Sequence, residues 1–138
     1  LIRANVIPII NENDVVADEE LKAGFTFGDN DYLAALVSKL IRADLLVILS
    51  TVDGVLRTEG SRRRRIPLID KIGPDIYKLV NPGASALSKG GMDSKLRAAQ
   101  IATRAGCSVV IGHGRKKDTL VDIVAGKDVG TLIPGATL

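Results

Sequence analysis

Leu45-Leu46-Val47-Ile48-Leu49 is an unbroken apolar run between Asp44 and the polar pair Ser50-Thr51. It does not alternate apolar with polar positions, so it does not read as a strand with one wet face. Such a run reads as a strand covered on both sides, the habit of parallel strands flanked by helices. Val109-Val110-Ile111 repeats the pattern later in the chain. Only 3% of the 138 residues are aromatic against 46% hydrophobic overall, so the core must be aliphatic. With 14 glycines, that mixture suits a sheet with helices on its faces better than an all-β sandwich.

The segments between these runs carry helical spacing. Gly28-Asp29-Asn30-Asp31 opens a helix whose Leu33, Leu36, Val37, Leu40 and Ile41 fall on one face, with Asp29 to Asp31 supplying capping chemistry. A second long helix is predicted from Met92 to Arg104, stopped by Gly106. Shorter helices are expected over Gly73 to Val80 and Thr119 to Val124, and a last strand over Thr131 to Ile133. Val6-Ile7-Pro8-Ile9-Ile10 reads as a buried strand, edge or bulged because Pro8 cannot donate to a ladder. Residues 57–65 read as an exposed basic loop, Ile66 to Ile69 as a short strand, and Asn81 to Gly91 as a glycine-rich loop. The alternation of strand and helix predicts an α/β sheet with crossover connections. Ligands are then expected beyond the carboxyl ends of the strands, at loops beginning at Asn11, Ser50 and Gly112.

Composition excludes several classes. Nineteen basic residues against sixteen acidic ones give +3, too small an excess to argue for nucleic acid, and part of it sits in Arg62-Arg63-Arg64-Arg65. That run reads most simply as a solvated loop, with a phosphate or partner contact as the other reading. One cysteine, Cys107, precludes an internal disulfide and favours a reduced, cytoplasmic setting, with the thiol buried and structural. No apolar stretch approaches membrane-spanning length. The opening Leu1-Ile2-Arg3 has no initiator methionine and reads as a start within a domain. His113, alone between two glycines, defines no metal site, and none is expected.

Three segments carry chemistry. Asn11-Glu12-Asn13-Asp14 follows a predicted strand, Gly28-Asp29-Asn30-Asp31 starts a helix, and Gly90-Gly91-Met92-Asp93-Ser94-Lys95 leads a glycine pair into another. Asn and Asp clusters at strand ends can bind both poles of an amino acid. The glycine pair lets backbone N–H groups approach phosphate where the helix dipole favours it. Lys95 adds a point charge for transferring phosphoryl oxygens. Each segment alone has a plainer reading, as a turn, a helix cap or a joint. Asp53 and Asp93 are possible polar contacts.

In this order and spacing the three closely resemble the glutamate 5-kinase family of the amino-acid kinase superfamily. The resemblance runs through Val6 to Asp14, Gly28 to Ala35, and Lys89 to Lys95 with Leu96 and Ala98-Ala99, and so covers nearly the whole chain. It implies a three-layer αβα sandwich with a mainly parallel sheet, incomplete at the N-terminus. Residues 1–138 would form one partial kinase domain, the nucleotide-binding half plus part of the glutamate site. It implies that Asn11, Asp14 and Asn30 contact L-glutamate, that Asp31 organises catalytic lysines, and that Lys95 stabilises the transferring phosphoryl group. Ser50, Thr51 and the backbone of Lys89, Gly90, Gly91, Met92, Asp93, Ser94 and Lys95 would hold ATP, with Mg2+ on its phosphates. Glutamyl 5-phosphate, an intermediate toward proline, would be the product, with proline a feedback inhibitor and the protein a dimer or tetramer.

The chain departs from the family pattern at Thr51, where aspartate is usual, and at Lys89, where a small hydroxyl residue is usual. The family's first lysine and its N-terminal glycine-rich phosphate loop do not appear in these residues. This chain alone is therefore expected to lack turnover. A non-catalytic module sensing glutamate, proline or nucleotide, and a sister kinase acting on acetylglutamate, aspartate or UMP, are the other readings.

Overall fold

The structure, a computed structural model, describes residues 1–11, 29–82 and 91–137. After a single 3-10 turn at Ile2–Ala4 come helix α1 (Asp29–Leu40), strand β1 (Leu45–Ser50), hairpin strands β2 (Leu56–Glu59) and β3 (Arg62–Arg65), and helix α2 (Pro74–Val80). Helix α3 (Met92–Arg104), strand β4 (Ser108–His113), helix α4 (Thr119–Val124) and strand β5 (Thr131–Ile133) follow.

The apolar runs pair as their composition requires. β1 lies parallel to β4, from Leu45 opposite Ser108 to Ser50 opposite His113. β5 adds antiparallel on the far side of β4, with Val109 opposite Ile133 and Ile111 opposite Thr131. Val109 and Ile111 turn to one face and join a core cluster with Ala35, Ile48, Leu96, Ala99 and Ala102. Alanines at the buried positions of α1 and α3 let those two helices approach closely on that face. Val110 and Gly112 turn to the other face, where a side chain at Gly112 would meet Ile123 and Thr119 of α4. Helices thus cover both faces of the sheet, giving the three layers of an αβα fold.

Local signals explain where the long helices stop. α1 ends where Arg42 takes a left-handed φ of 54°, and Ala43 N–H closes back on Ser38 O at 2.9 Å. α3 ends at Gly106, φ 88°, whose N–H donates to Thr103 O.

Three expectations are corrected. Val6 to Ile10 is not a buried strand: it has no ladder partner among the described residues, and Ile7 and Ile9 are 87% and 95% exposed. Residues 57–65 are not a loop but the β2–β3 hairpin, turning at Gly60 with φ 62°. Ile66 to Ile69 forms no strand, only a bridge from Leu68 to Leu132, because Pro67 cannot donate to a ladder.

The hairpin is joined to the sheet by one buried hydroxyl. Thr131 Oγ1 accepts from Val55 N–H at 2.8 Å and donates to Ile66 O at 2.6 Å. Gly54 precedes this junction with φ 151°, and a side chain there would strike Thr131.

Candidate functional site

Parallel pairing brings the carboxyl ends of β1 and β4 to the same edge of the sheet. Gly114 N–H donates to Ser50 O at 2.8 Å, so the two loops leave this edge tied together. Above them opens a cleft of about 510 Å3. Its floor is Leu49, Ser50, Thr51 and Val52, and one wall is Gly91, Met92 and Lys95 at the start of α3. Leu56, Thr58 and Arg63 of the hairpin, Val80 and Asn81 beyond α2, and Gly114 and Arg115 complete it.

Gly91 enters α3 with φ 72° and ψ −135°, a conformation open to glycine and strained for other residues. No side chain caps that helix end. Its first N–H groups, with the positive end of the helix dipole, are placed to receive an anion. One turn on, Lys95 Nζ lies 3.0 Å from Asp31 Oδ2 and 3.3 Å from Oδ1. Ser94 Oγ donates to the same Oδ2 at 3.1 Å. The Asp31 and Lys95 side chains are only 17% and 18% exposed, so the ammonium is held rather than free to sample solvent. Asp93, 7% exposed, accepts from Asn81 Nδ2 at 3.0 Å and ties the end of α2 to the first turn of α3.

A second groove, of about 580 Å3, lies along α1. Asn11 and Asn30 both line it, together with Pro8 to Ile10 and the apolar residues Leu33, Val37 and Leu46. Asn30 faces this groove while its neighbour Asp31 reaches Lys95, so the first turn of α1 stands between groove and cleft.

The residues singled out from the sequence therefore sort into groups. Ser50, Thr51, Gly91, Met92 and Lys95 line one cleft. Asn11 and Asn30 share the adjoining groove. Asp93 and Ser94 turn inward as buried supports. Asp14, Lys89 and Gly90 lie outside the described residues. Asp53 pairs with Lys116 at 2.5 Å, and that hydrogen bond holds its carboxyl below the usual carboxylate value. His113 Nδ1 accepts from Arg115 N–H at 3.1 Å and shapes the loop after β4. Burial raises the Cys107 thiol above its ordinary value. Arg115 and Asn81 line the cleft but do not stand out in the sequence, and Arg63 stands out there only as one of a basic run. Seeing Arg63 requires seeing the hairpin, for which Gly60-Ser61 between two short runs is the available signal.

An uncapped helix end, an ion-paired lysine and a cleft at the carboxyl edge of parallel strands together make an α/β domain whose cleft can receive an anion. Residues 1–113 match the Amino acid kinase family, and the chain belongs to it. The glutamate 5-kinase of Enterococcus faecalis is 39% identical over 135 residues, 96% of this chain and 50% of that protein. The glutamate 5-kinase of Methylococcus capsulatus is 42% identical over 136 residues, 96% of this chain and 35% of that one. The chain thus spans between about a third and a half of the length of these two curated relatives. Among solved structures, a Giardia lamblia carbamate kinase bound to AMP-PNP superposes with a TM-score of 0.59 at 28% identity, over 78% of this chain and 32% of that one. No helix of the described residues is long and apolar enough to cross a membrane.

Proposed function

We propose that this chain is the nucleotide-binding half, with part of the glutamate site, of a glutamate 5-kinase. The observation that carries the reading is the Asp31–Lys95 pair, set between the uncapped start of α3 and the groove of Asn11 and Asn30. ATP would lie in the cleft with its phosphates at Gly91 and the first turn of α3. L-glutamate would lie toward Asn11 and Asn30, with Asp14 as a further contact, its side-chain carboxylate facing Lys95.

In the transfer, a carboxylate oxygen of glutamate forms a bond to the γ-phosphorus as the bond to the β-phosphate oxygen breaks. ADP leaves and glutamyl 5-phosphate remains. Lys95 would offset charge on the transferring oxygens, and Asp31 would fix its position, the positioning and electrostatic work on which phosphoryl transfer depends. Mg2+ would be carried on the ATP phosphates, where it would offset their charge. Ser50 and Thr51 would underlie the nucleotide, and Lys89 and Gly90 would continue the phosphate-facing backbone. The reading extends to a cytoplasmic homo-oligomer inhibited by proline.

The test is ADP release by a protein of the relatives' length carrying this segment, with L-glutamate, acetylglutamate, aspartate or UMP as acceptor. Turnover with L-glutamate alone is expected. Turnover with another acceptor and none with L-glutamate would overturn the proposal.

A further inference from the structure

Four consecutive arginines, Arg62 to Arg65, occupy β3, and strand geometry sends alternate side chains to opposite faces. Arg64 lies toward Glu59 at 3.9 Å, on the face where Arg57 meets the same carboxylate at 2.6 Å. Arg63 and Arg65 take the other face. Arg65 is already engaged, donating to Asp128 Oδ1 at 2.9 Å and Gly130 O at 2.6 Å. Arg63 instead lines the cleft beside its cross-strand neighbour Thr58. Arg115, in the loop after β4, lines the cleft as well. Among the described residues neither guanidinium has a hydrogen-bond or ion-pair partner. The described lining contains Lys95, Arg63 and Arg115 and no carboxylate.

Two guanidinium groups without a carboxylate partner, on a cleft that also presents the ion-paired Lys95, suit a multiply charged anion. A guanidinium presents a planar fork that matches phosphate oxygens in pairs. We propose that Arg63 and Arg115 are polyphosphate-recognition residues of the cleft, making it selective for nucleoside triphosphates over monophosphates. The inference rests on reading the cleft as the nucleotide site and adds two residues outside the α3 turn. Arg63 is the arginine of the run left to the cleft, because Arg65 is held elsewhere and Arg62 and Arg64 face away.

The experiment is calorimetric titration of this chain and of Arg63→Ala, Arg115→Ala, Arg63→Lys and Arg64→Ala with ATP, AMP and inorganic tripolyphosphate. Arg63→Ala and Arg115→Ala should each weaken ATP about tenfold, the scale of one lost charged hydrogen bond, and AMP much less. Tripolyphosphate should follow ATP, Arg63→Lys should retain part of the affinity, and Arg64→Ala should bind as the unsubstituted chain does. All the substituted side chains are exposed, so folding is not at stake. If ATP binds but both alanine variants leave its ratio to AMP unchanged, the inference fails while the nucleotide site stands. If the unsubstituted chain binds neither ATP nor tripolyphosphate, the reading of the cleft falls, and the inference with it.

Discussion

Lys95 and Asp31, 64 positions apart in the chain, form an ion pair with the ammonium within hydrogen-bond reach of both carboxylate oxygens. The pair joins the first turn of α1 to the first turn of α3, and Ser94 supplies a second link to the same carboxylate. In a kinase of the relatives' length, Lys95→Ala should lower kcat by roughly a hundredfold or more, the scale of losing one aimed electrostatic contact. Asp31→Asn should lower kcat with a smaller change in the KM for ATP, since it loosens the lysine without removing it. Lys95→Arg should not restore turnover, because the fork is longer and planar. Steady-state kinetics with ATP varied decides, and a normal kcat for Asp31→Asn would break the link.

Among the described residues nothing lies within 4 Å of where a side chain on Gly91 would sit, so the requirement seen there is one of backbone. Gly91→Ala should cost about 1–3 kcal/mol of stability or shift the helix entry by relaxing the strain. Either outcome should weaken ATP binding, since the N–H groups at the start of α3 move. Urea midpoints and ATP titration of the same variant measure both. Unchanged values in both would show that the turn accepts a side chain.

Thr131 is fully buried and satisfies two backbone groups from the base of the hairpin. Thr131→Val keeps the shape but leaves Val55 N–H and Ile66 O without that partner. It should destabilise the chain by about 1–3 kcal/mol, and Thr131→Ser should lose much less. Chemical unfolding of the three proteins gives the comparison.

Two ion pairs predict an acid limb. The Lys116 hydrogen bond lowers Asp53, and the Arg65 hydrogen bond lowers Asp128, each below 3.8. A carboxyl lowered on folding stabilises the native state above its unfolded value and loses that contribution as pH falls through the folded value. The effect is therefore confined to pH below about 3.8. Asp53→Asn and Asp128→Asn should each flatten the fall of stability in that window and leave the slope near neutrality unchanged. Urea midpoints across pH test this, and an altered slope near neutral pH would contradict it.

Most of this fold can be read from periodicity, and the exceptions have physical causes. β1, α3, α4 and β5 fall where apolar runs or helical spacing put them, because each buries its own pattern locally. Val6 to Ile10 has the composition of a strand, but a strand needs a neighbour, and composition cannot supply one. The hairpin fails the apolar test because its stabilising contacts are backbone pairs and a buried threonine 65 residues away. At the site, the glycine–lysine segment is legible because a phosphate loop needs contiguous residues. Arg115 is not, and Arg63 shows only as one of four arginines, because chain topology alone brings the two to one cleft.

β5 runs antiparallel to β4, and that direction determines where the chain goes next. Gly135 N–H reaches Ser108 Oγ and Ala136 N–H reaches Thr103 O, at the amino end of β4. The cleft lies at the carboxyl end of that strand, about 16 Å away at the usual rise per residue. The last described residues therefore lie at the pole of the domain remote from the cleft.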